Sequence, residues 1–113
     1  MKPGSIVLLH LVGPTEKFWG VLEELNPFGV TFRGINVNSF DDWMRQAASP
    51  EDPTLGLSTM FVPLFRIERV FLDEQVGEVE SYRQRFLAWV GVSVESYLGL
   101  GESERDRPSG LPS

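Results

Sequence analysis

Residues 6–12, Ile-Val-Leu-Leu-His-Leu-Val, are apolar at every position but His10. A run this short and nearly unbroken predicts a strand covered on both faces. Gly13, Pro14, Thr15 and Glu16 form a turn, and from Lys17 the pattern becomes an alternation. Phe18, Gly20 and Leu22 recur at period 2, the spacing that lines one face of a strand. Asn26-Pro27 and Gly29 supply turn chemistry: Asn bonds its own backbone, Pro fixes φ, and Gly tolerates positive φ. Val30 and Phe32 resume the alternation around Thr31, predicting a third strand over about 30–35. Gly20 marks a bend or a close approach with no room for a side chain. With Phe18, Gly20 and Leu22 turned inward, Trp19 and Val21 face outward. An outward Trp needs cover from a helix of the same chain or from another subunit.

Residues 36–58 interrupt the β pattern. Ser39-Phe40-Asp41-Asp42 predicts a helix start, with a hydroxyl cap and acids in the first turn where the dipole favours them. Phe40, Trp43, Met44 and Ala47 follow at i, i+3, i+4 and i+7 as an apolar stripe, either a lid on the core or a docking surface. Ser49-Pro50-Glu51-Asp52-Pro53 ends that helix in a loop. Strand character returns over 60–72, with Pro63 marking an edge or a break because it cannot donate to a ladder. The predicted fourth strand is about 58–63, with a bend near Phe65-Arg66 and a fifth strand over about 67–72. Ser81 and Gln84 have capping-box spacing, and Gly91 is a helix stop, predicting a C-terminal helix over about 80–91. Its face is Phe86, Leu87 and Val90, flanked by Tyr82 and Trp89. Residues 73–80 extend this helix backwards in the same reading, although Gly77 opposes that, and 93–98 add one further turn. The Gly-, Ser-, Pro- and charge-rich stretch 99–113 is expected to be disordered.

Composition narrows the classes. The chain has 113 residues, 42% hydrophobic and 12% aromatic, enough for one packed domain over 1–98. No window approaches the ~18 unbroken apolar residues of a membrane span. The N-terminus lacks a signal-peptide pattern, so a cytoplasmic home is expected. The absence of cysteine excludes disulfides, thiolate metal sites and cysteine catalysis. Ten basic against sixteen acidic residues give a net charge of −6, which opposes non-specific nucleic-acid binding while allowing a local basic patch. Eight of the ten cations are Arg, suited to bidentate or stacked contacts.

Candidate chemistry is sparse. His10 is the only histidine, with no second one for a His-based metal site and no Gly-x-Ser-x-Gly for a nucleophile, so it reads as a strand residue at a packed face. Glu23 and Glu24 are strand neighbours that point to opposite faces, and Asp41-Asp42 has a capping explanation. No calcium-loop spacing, P-loop or Gly-x-Gly-x-x-Gly is present. The expectation is a protein that is not an enzyme, with no cofactor, no metal and no small-molecule substrate. Arg66 and Arg69, with Arg33 possible beside them, are the basic residues expected to converge.

Five short strands, a bent second strand on Phe-x-Gly-x-Leu and the late Pro63-Leu64-x-x-Ile67-x-x-Val70 resemble the Sm-like small β-barrel family, nearest in motif spacing to the bacterial Sm-like RNA chaperones. Gly20, Leu22, Leu25, Asn26 and Phe28 fall on the first motif, with Leu11 and Gly13 upstream, and Ile67 on the second. The resemblance covers about 6–71 without the insertion and shares much of its pattern with SH3-like barrels. It implies a mainly β fold with added α: a five-stranded Sm-like/SH3-like barrel, a helical insertion at about 36–58 between strands three and four, and a C-terminal helix. Asn26 stands where the family has Asp. Pro63-Leu64-Phe65 stands where the chaperones have the Tyr-Lys-His run that carries much of the uridine contact. Phe28 matches the position where the family stacks a base, an interaction that holds single strands generally; a Phe just after a turn also reads, and more simply, as a core residue. Sm-like barrels close rings by pairing strand four of one subunit with strand five of the next. The expected function is therefore a non-enzymatic binding or assembly module acting mainly through protein contacts, as a homo-oligomer. Its expected interface residues are Trp19, Val21, Phe40, Trp43, Met44 and Phe61. The alternative is weak single-stranded RNA binding through Phe28, Arg66 and Arg69.

Overall fold

The computed structural model describes residues 1–49 and 55–100. Five antiparallel strands form one sheet: β1 (Ile6–Leu11), β2 (Glu16–Asn26), β3 (Gly29–Asn36), β4 (Ser58–Pro63) and β5 (Ile67–Leu72), in the order β4-β3-β2-β1-β5. The connections β1–β2 and β2–β3 are tight turns, and β4 passes to β5 through a 3₁₀ turn, Leu64–Arg66. No ladder joins β4 to β5, so the sheet is unclosed and both are edge strands. The edge position of Pro63 and the bend before β5 follow the sequence reading.

Each face of this sheet buries a separate apolar cluster. Val7, Leu9, Leu11, Leu22, Val30, Phe32 and Val62 share one face, with Ile67 and Val70 packed against them, so all five strands contribute to it. On the other face Ile6, Trp19, Val21 and Ile35 meet the helices α1 (Phe40–Ala47), α2 (Tyr82–Val90) and α3 (Val94–Leu98) through Phe40, Trp43, Met44, Phe86 and Val94. Trp19 and Val21 are therefore not outward-facing: helices of the same chain cover them completely. Alternation along β2 is real, but over Trp19, Gly20, Val21 and Leu22 both of its faces are interior. Gly20 sits against Gly34 of β3, where a Cβ would run into the Arg33 carbonyl and the Gly34 Cα.

Three local expectations change. Ser39 makes no cap bond; instead a 3₁₀ turn, Val37–Ser39, leads into α1, and the Asn36 side chain accepts from Asn38 N at 2.8 Å. The turn carries the chain into α1 without needing a hydroxyl. Residues 73–80 are not helical: Val76 and Val79 pair across a turn whose Gly77 has φ +61°, and α2 follows its N-cap Ser81, which forms the full capping box. The ordered chain also runs past 98. Gly99, left-handed at φ 68°, caps α3, and Leu100 packs on the helical cluster. Residues 101–113 lie outside the described residues, as do 50–54 of the predicted loop. Among the described residues no helix is long and apolar enough to cross a membrane.

Candidate functional site

The β2–β3 turn is fixed by Asn26, whose carbonyl oxygen Oδ1 accepts from Phe28 N at 2.8 Å and Gly29 N at 3.2 Å. This turn leaves Phe28 pointing away from the core, 79% exposed. Its carbonyl accepts from Leu64 N at 3.0 Å, which fastens the 3₁₀ turn to the β2–β3 turn. Phe65 in that turn is 83% exposed, and Phe61 of β4 is 52% exposed. Gly29 pairs with Pro63, and the Phe61 ring occupies the space a Gly29 side chain would need. Phe28, Phe61, Leu64 and Phe65, with Leu25 nearby, thus gather where edge strand β4 ends. Leu64 and Phe65 carried no functional role in the sequence reading. Their signal was present, since a bend between two strands has no core face to receive a Leu and a Phe.

The expected cations lie on different elements, each with its own partners. Arg66 clamps the β1–β2 turn: its Nε donates to the Val12 carbonyl at 2.9 Å, and its Nη2 to the Pro14 carbonyl at 2.6 Å and Glu16 Oε1 at 3.0 Å. Its Nε and Nη2 are committed to the fold, which ties the side chain to the β1–β2 turn. Arg69 lies on β5 opposite His10, with its guanidinium 5.9 Å from the Phe71 ring centre and 3.8 Å from Glu68. Arg33 lies on β3 between Val21 of β2 and Thr59 of β4, on the other side of the sheet order from β5.

Five of the six expected interface residues are interior. Trp19 packs on Phe40 at 5.0 Å and Trp43 at 5.4 Å between ring centres, and Trp43 packs on Phe86 at 5.4 Å. Val21 and Met44 are buried in the same layer. The stripe on α1 is a lid, so Trp19, Val21, Phe40, Trp43 and Met44 offer no surface to a partner. Phe61 alone of the six is exposed. The layer is tied by Asp73, a residue the sequence reading passed over. Buried at the end of β5, it accepts from the Trp19 indole Nε1 at 3.0 Å and from Tyr82 N and Arg83 N, both at 2.9 Å. A carboxylate on the first free N–H groups of α2 has the favoured sign for the helix dipole.

His10 touches Phe71 edge-on, with ring centres 4.9 Å apart. Partial burial holds its pKa below the usual 6.5, helped by Lys17 and Arg69 and opposed by Glu68. A recess of about 550 Å³ lies between Lys2–Ile6, the end of β5 and the Arg83–Glu95 ion pair of 2.5 Å. Among the described residues no three His, Cys, Asp or Glu side chains form a metal-holding group. Comparison of the chain with protein-family models, curated proteins and solved structures finds no match.

Proposed function

We propose that this protein is a non-enzymatic, cytoplasmic Sm-like binding or assembly module whose working surface is the β4 edge with its aromatic corner. The observation that carries the reading is a free edge strand with three exposed phenylalanines at its end: Phe61 on the strand, Phe65 in the 3₁₀ turn that follows it and Phe28 in the β2–β3 turn bonded to Leu64. An open edge offers main-chain N–H and C=O groups to an incoming strand, and alternate side chains then supply selectivity. The strand order, with β4 and β5 at opposite edges, suits an Sm-like barrel that pairs β4 of one copy with β5 of the next. The side-chain registers agree with such a contact. Phe61 is paired with Thr31, on the side of β3 where Ile35 meets the helices. Phe71 is paired with Leu8, which packs against the same helical layer. A sheet continued from β4 to β5 therefore carries Phe61 and Phe71 on the same face, where an aromatic cross-strand pair would stabilise it.

The test is the mass of the eluting species by light scattering. A multiple of 12.7 kDa at tens of micromolar supports assembly, and a clean 12.7 kDa monomer overturns it. The exposure of Phe28 favours a second reading, weak stacking of single-stranded RNA. With Arg66 committed to the fold and a net charge of −6, any binding is expected to have a shallow salt slope, on the order of one to three phosphate contacts. Titration with uridine-rich and adenine-rich oligonucleotides at two salt concentrations reads it, and no binding at millimolar oligonucleotide removes the RNA reading.

A further inference from the structure

The registers of β5, β1 and β2 set Arg69 opposite His10 and His10 opposite Lys17, in one row across three neighbouring strands. Partners in register share a face, here the face that carries Leu8 and Trp19 under the helices. Strands lie about 4.8 Å apart, so the backbones of Lys17 and Arg69 are about 10 Å apart with His10 midway. The row lies toward the β1–β2 turn, next to the exposed ring of Phe71.

Directly opposed like charges destabilise a sheet. Four of the arginines elsewhere in this acidic chain are closely paired: Arg45, Arg66 and Arg83 lie within 3.0 Å of a carboxylate oxygen, and Arg85 pairs with Asp41. The row, like the isolated Arg33 of β3, lacks such close pairing among the described residues. Lys17 forms no ion pair among the described residues, and Arg69 has only the 3.8 Å contact to Glu68. Three basic side chains set side by side, in a chain with an acidic excess of six, are an arrangement that a bound anion would stabilise.

We propose that the Lys17–His10–Arg69 row is a binding site for a ligand carrying several tetrahedral oxyanion groups, phosphoryl or sulfuryl. Lys17 and Arg69 supply fixed charge at the two ends, and His10 supplies a third charge when protonated. Phe71 covers one side of the imidazole and holds it in the row. The charged groups acting on His10 are Lys17 from β2 and Arg69 and Glu68 from β5. In the free protein the two cations and burial disfavour the imidazolium, whereas a bound oxyanion favours it. Binding therefore takes up a proton and tightens as pH falls.

Two probes separate the possible sources of the oxyanion: inorganic tripolyphosphate and sucrose octasulfate, titrated calorimetrically into the full chain in low salt. Octasulfate also keeps its own charge constant over the range used. Saturable binding of either probe is expected. A rise of one pKa unit at His10 on binding makes octasulfate about five-fold tighter at pH 5.5 than at pH 7.5. Lys17→Ala and Arg69→Ala are each expected to weaken binding about ten-fold or more, a typical loss for one charge-assisted contact. His10→Asn is expected to remove the pH dependence while keeping residual affinity. Arg45→Ala lowers the net charge equally at a distant, exposed position and is expected to change little. Binding of only one probe assigns the oxyanion to that source. Absence of saturable binding by either probe overturns the proposal, as does equal weakening by Arg45→Ala, or a pH dependence that survives in His10→Asn. The His10 ring resonances, followed by NMR, provide a reading independent of any variant's stability: their pKa must rise on saturation.

Discussion

Asp73 accepts hydrogen bonds from three N–H groups, one on β2 and two at the start of α2, and its own N–H donates to the Ile6 carbonyl at 2.9 Å. Replacing it with Ala orphans the buried Trp19 indole and removes the charge facing the helix N-terminus. An orphaned buried donor costs about 1–3 kcal/mol, and the lost dipole interaction about 0.3–1 kcal/mol. Asp73→Ala is therefore expected to lower stability by about 3 kcal/mol, a fall in Tm on the order of 12–20 °C for a domain of this size. Asp73→Asn keeps one acceptor but turns an NH₂ toward N–H groups, so it should fall between. Thermal unfolding followed by Trp fluorescence measures both, and a Tm unchanged in Asp73→Ala would remove the latch. His10 gives a smaller effect with a definite sign. Its pKa is lowered in the folded chain, so between that value and 6.5 the unfolded chain binds more protons. Its contribution is present above pH 6.5 and is lost as pH falls through the lowered value. Denaturant midpoints measured from pH 7.5 down to about 5.5 are expected to decline, and to decline less in His10→Phe.

At the level of elements, the strands were the most legible part of the chain. The predicted fourth and fifth strands and the bend between them match β4, the 3₁₀ turn and β5, because Pro63 and the apolar alternation act locally. The capping box of Ser81 and Gln84 is equally local and forms as the spacing predicts: Gln84 N donates to Ser81 Oγ at 3.0 Å, and Ser81 N to Gln84 Oε1 at 2.6 Å. The facing of β2 was not legible, since period 2 tells which residues share a face but not whether one or both faces are covered. Trp19 and Val21 became interior only because α1 and α2 return over them, a tertiary fact. Residues 73–80 misled for a related reason: Glu74, Glu78 and Glu80 favour a helix by composition, while Gly77 and the Val76–Val79 pairing make a turn. The candidate site divided in the same way. The turn that carries Phe28 followed from a local motif, but a core place was the simpler reading of its ring, which is exposed, and Arg66 looked free in sequence because its partners lie fifty or more residues away. Gly20 tests the sheet itself. In Gly20→Val the added atoms meet backbone of β3 rather than a movable side chain. Overpacking of this kind costs ~1–3 kcal/mol, and a backbone obstacle places it at the upper end. An unchanged midpoint in urea would show that β2 and β3 do not approach as described.

At the scale of the whole molecule, the two edges of one sheet decide what assembly is possible. A contact between β4 of one copy and β5 of another is head-to-tail, so each chain contributes two different edges, and the contacts close into a ring or run on as a filament. A two-fold contact of β4 with β4 would leave β5 untouched. Single variants separate these cases. Phe61→Lys places a charge on the β4 edge and Phe71→Lys on the β5 edge. Both positions are exposed, so neither change is expected to disturb the core. In the head-to-tail case each variant alone is expected to run as a monomer, because every contact needs both edges. Mixed together, the two variants still hold one intact edge of each kind, β5 on the Phe61→Lys chain and β4 on the Phe71→Lys chain. They are expected to form a dimer of one chain of each and to grow no further, since the two remaining edges carry the charges. In the two-fold case Phe71→Lys keeps the parent mass and mixing changes nothing. Salt supplies a control on the same samples. Copies with a net charge of −6 repel, and raising ionic strength to about 0.15 M shortens the screening length to about 8 Å, so assembly of the parent chain should strengthen. A mixture that stays monomeric, or a parent mass retained by both single variants, excludes pairing of the β4 and β5 edges.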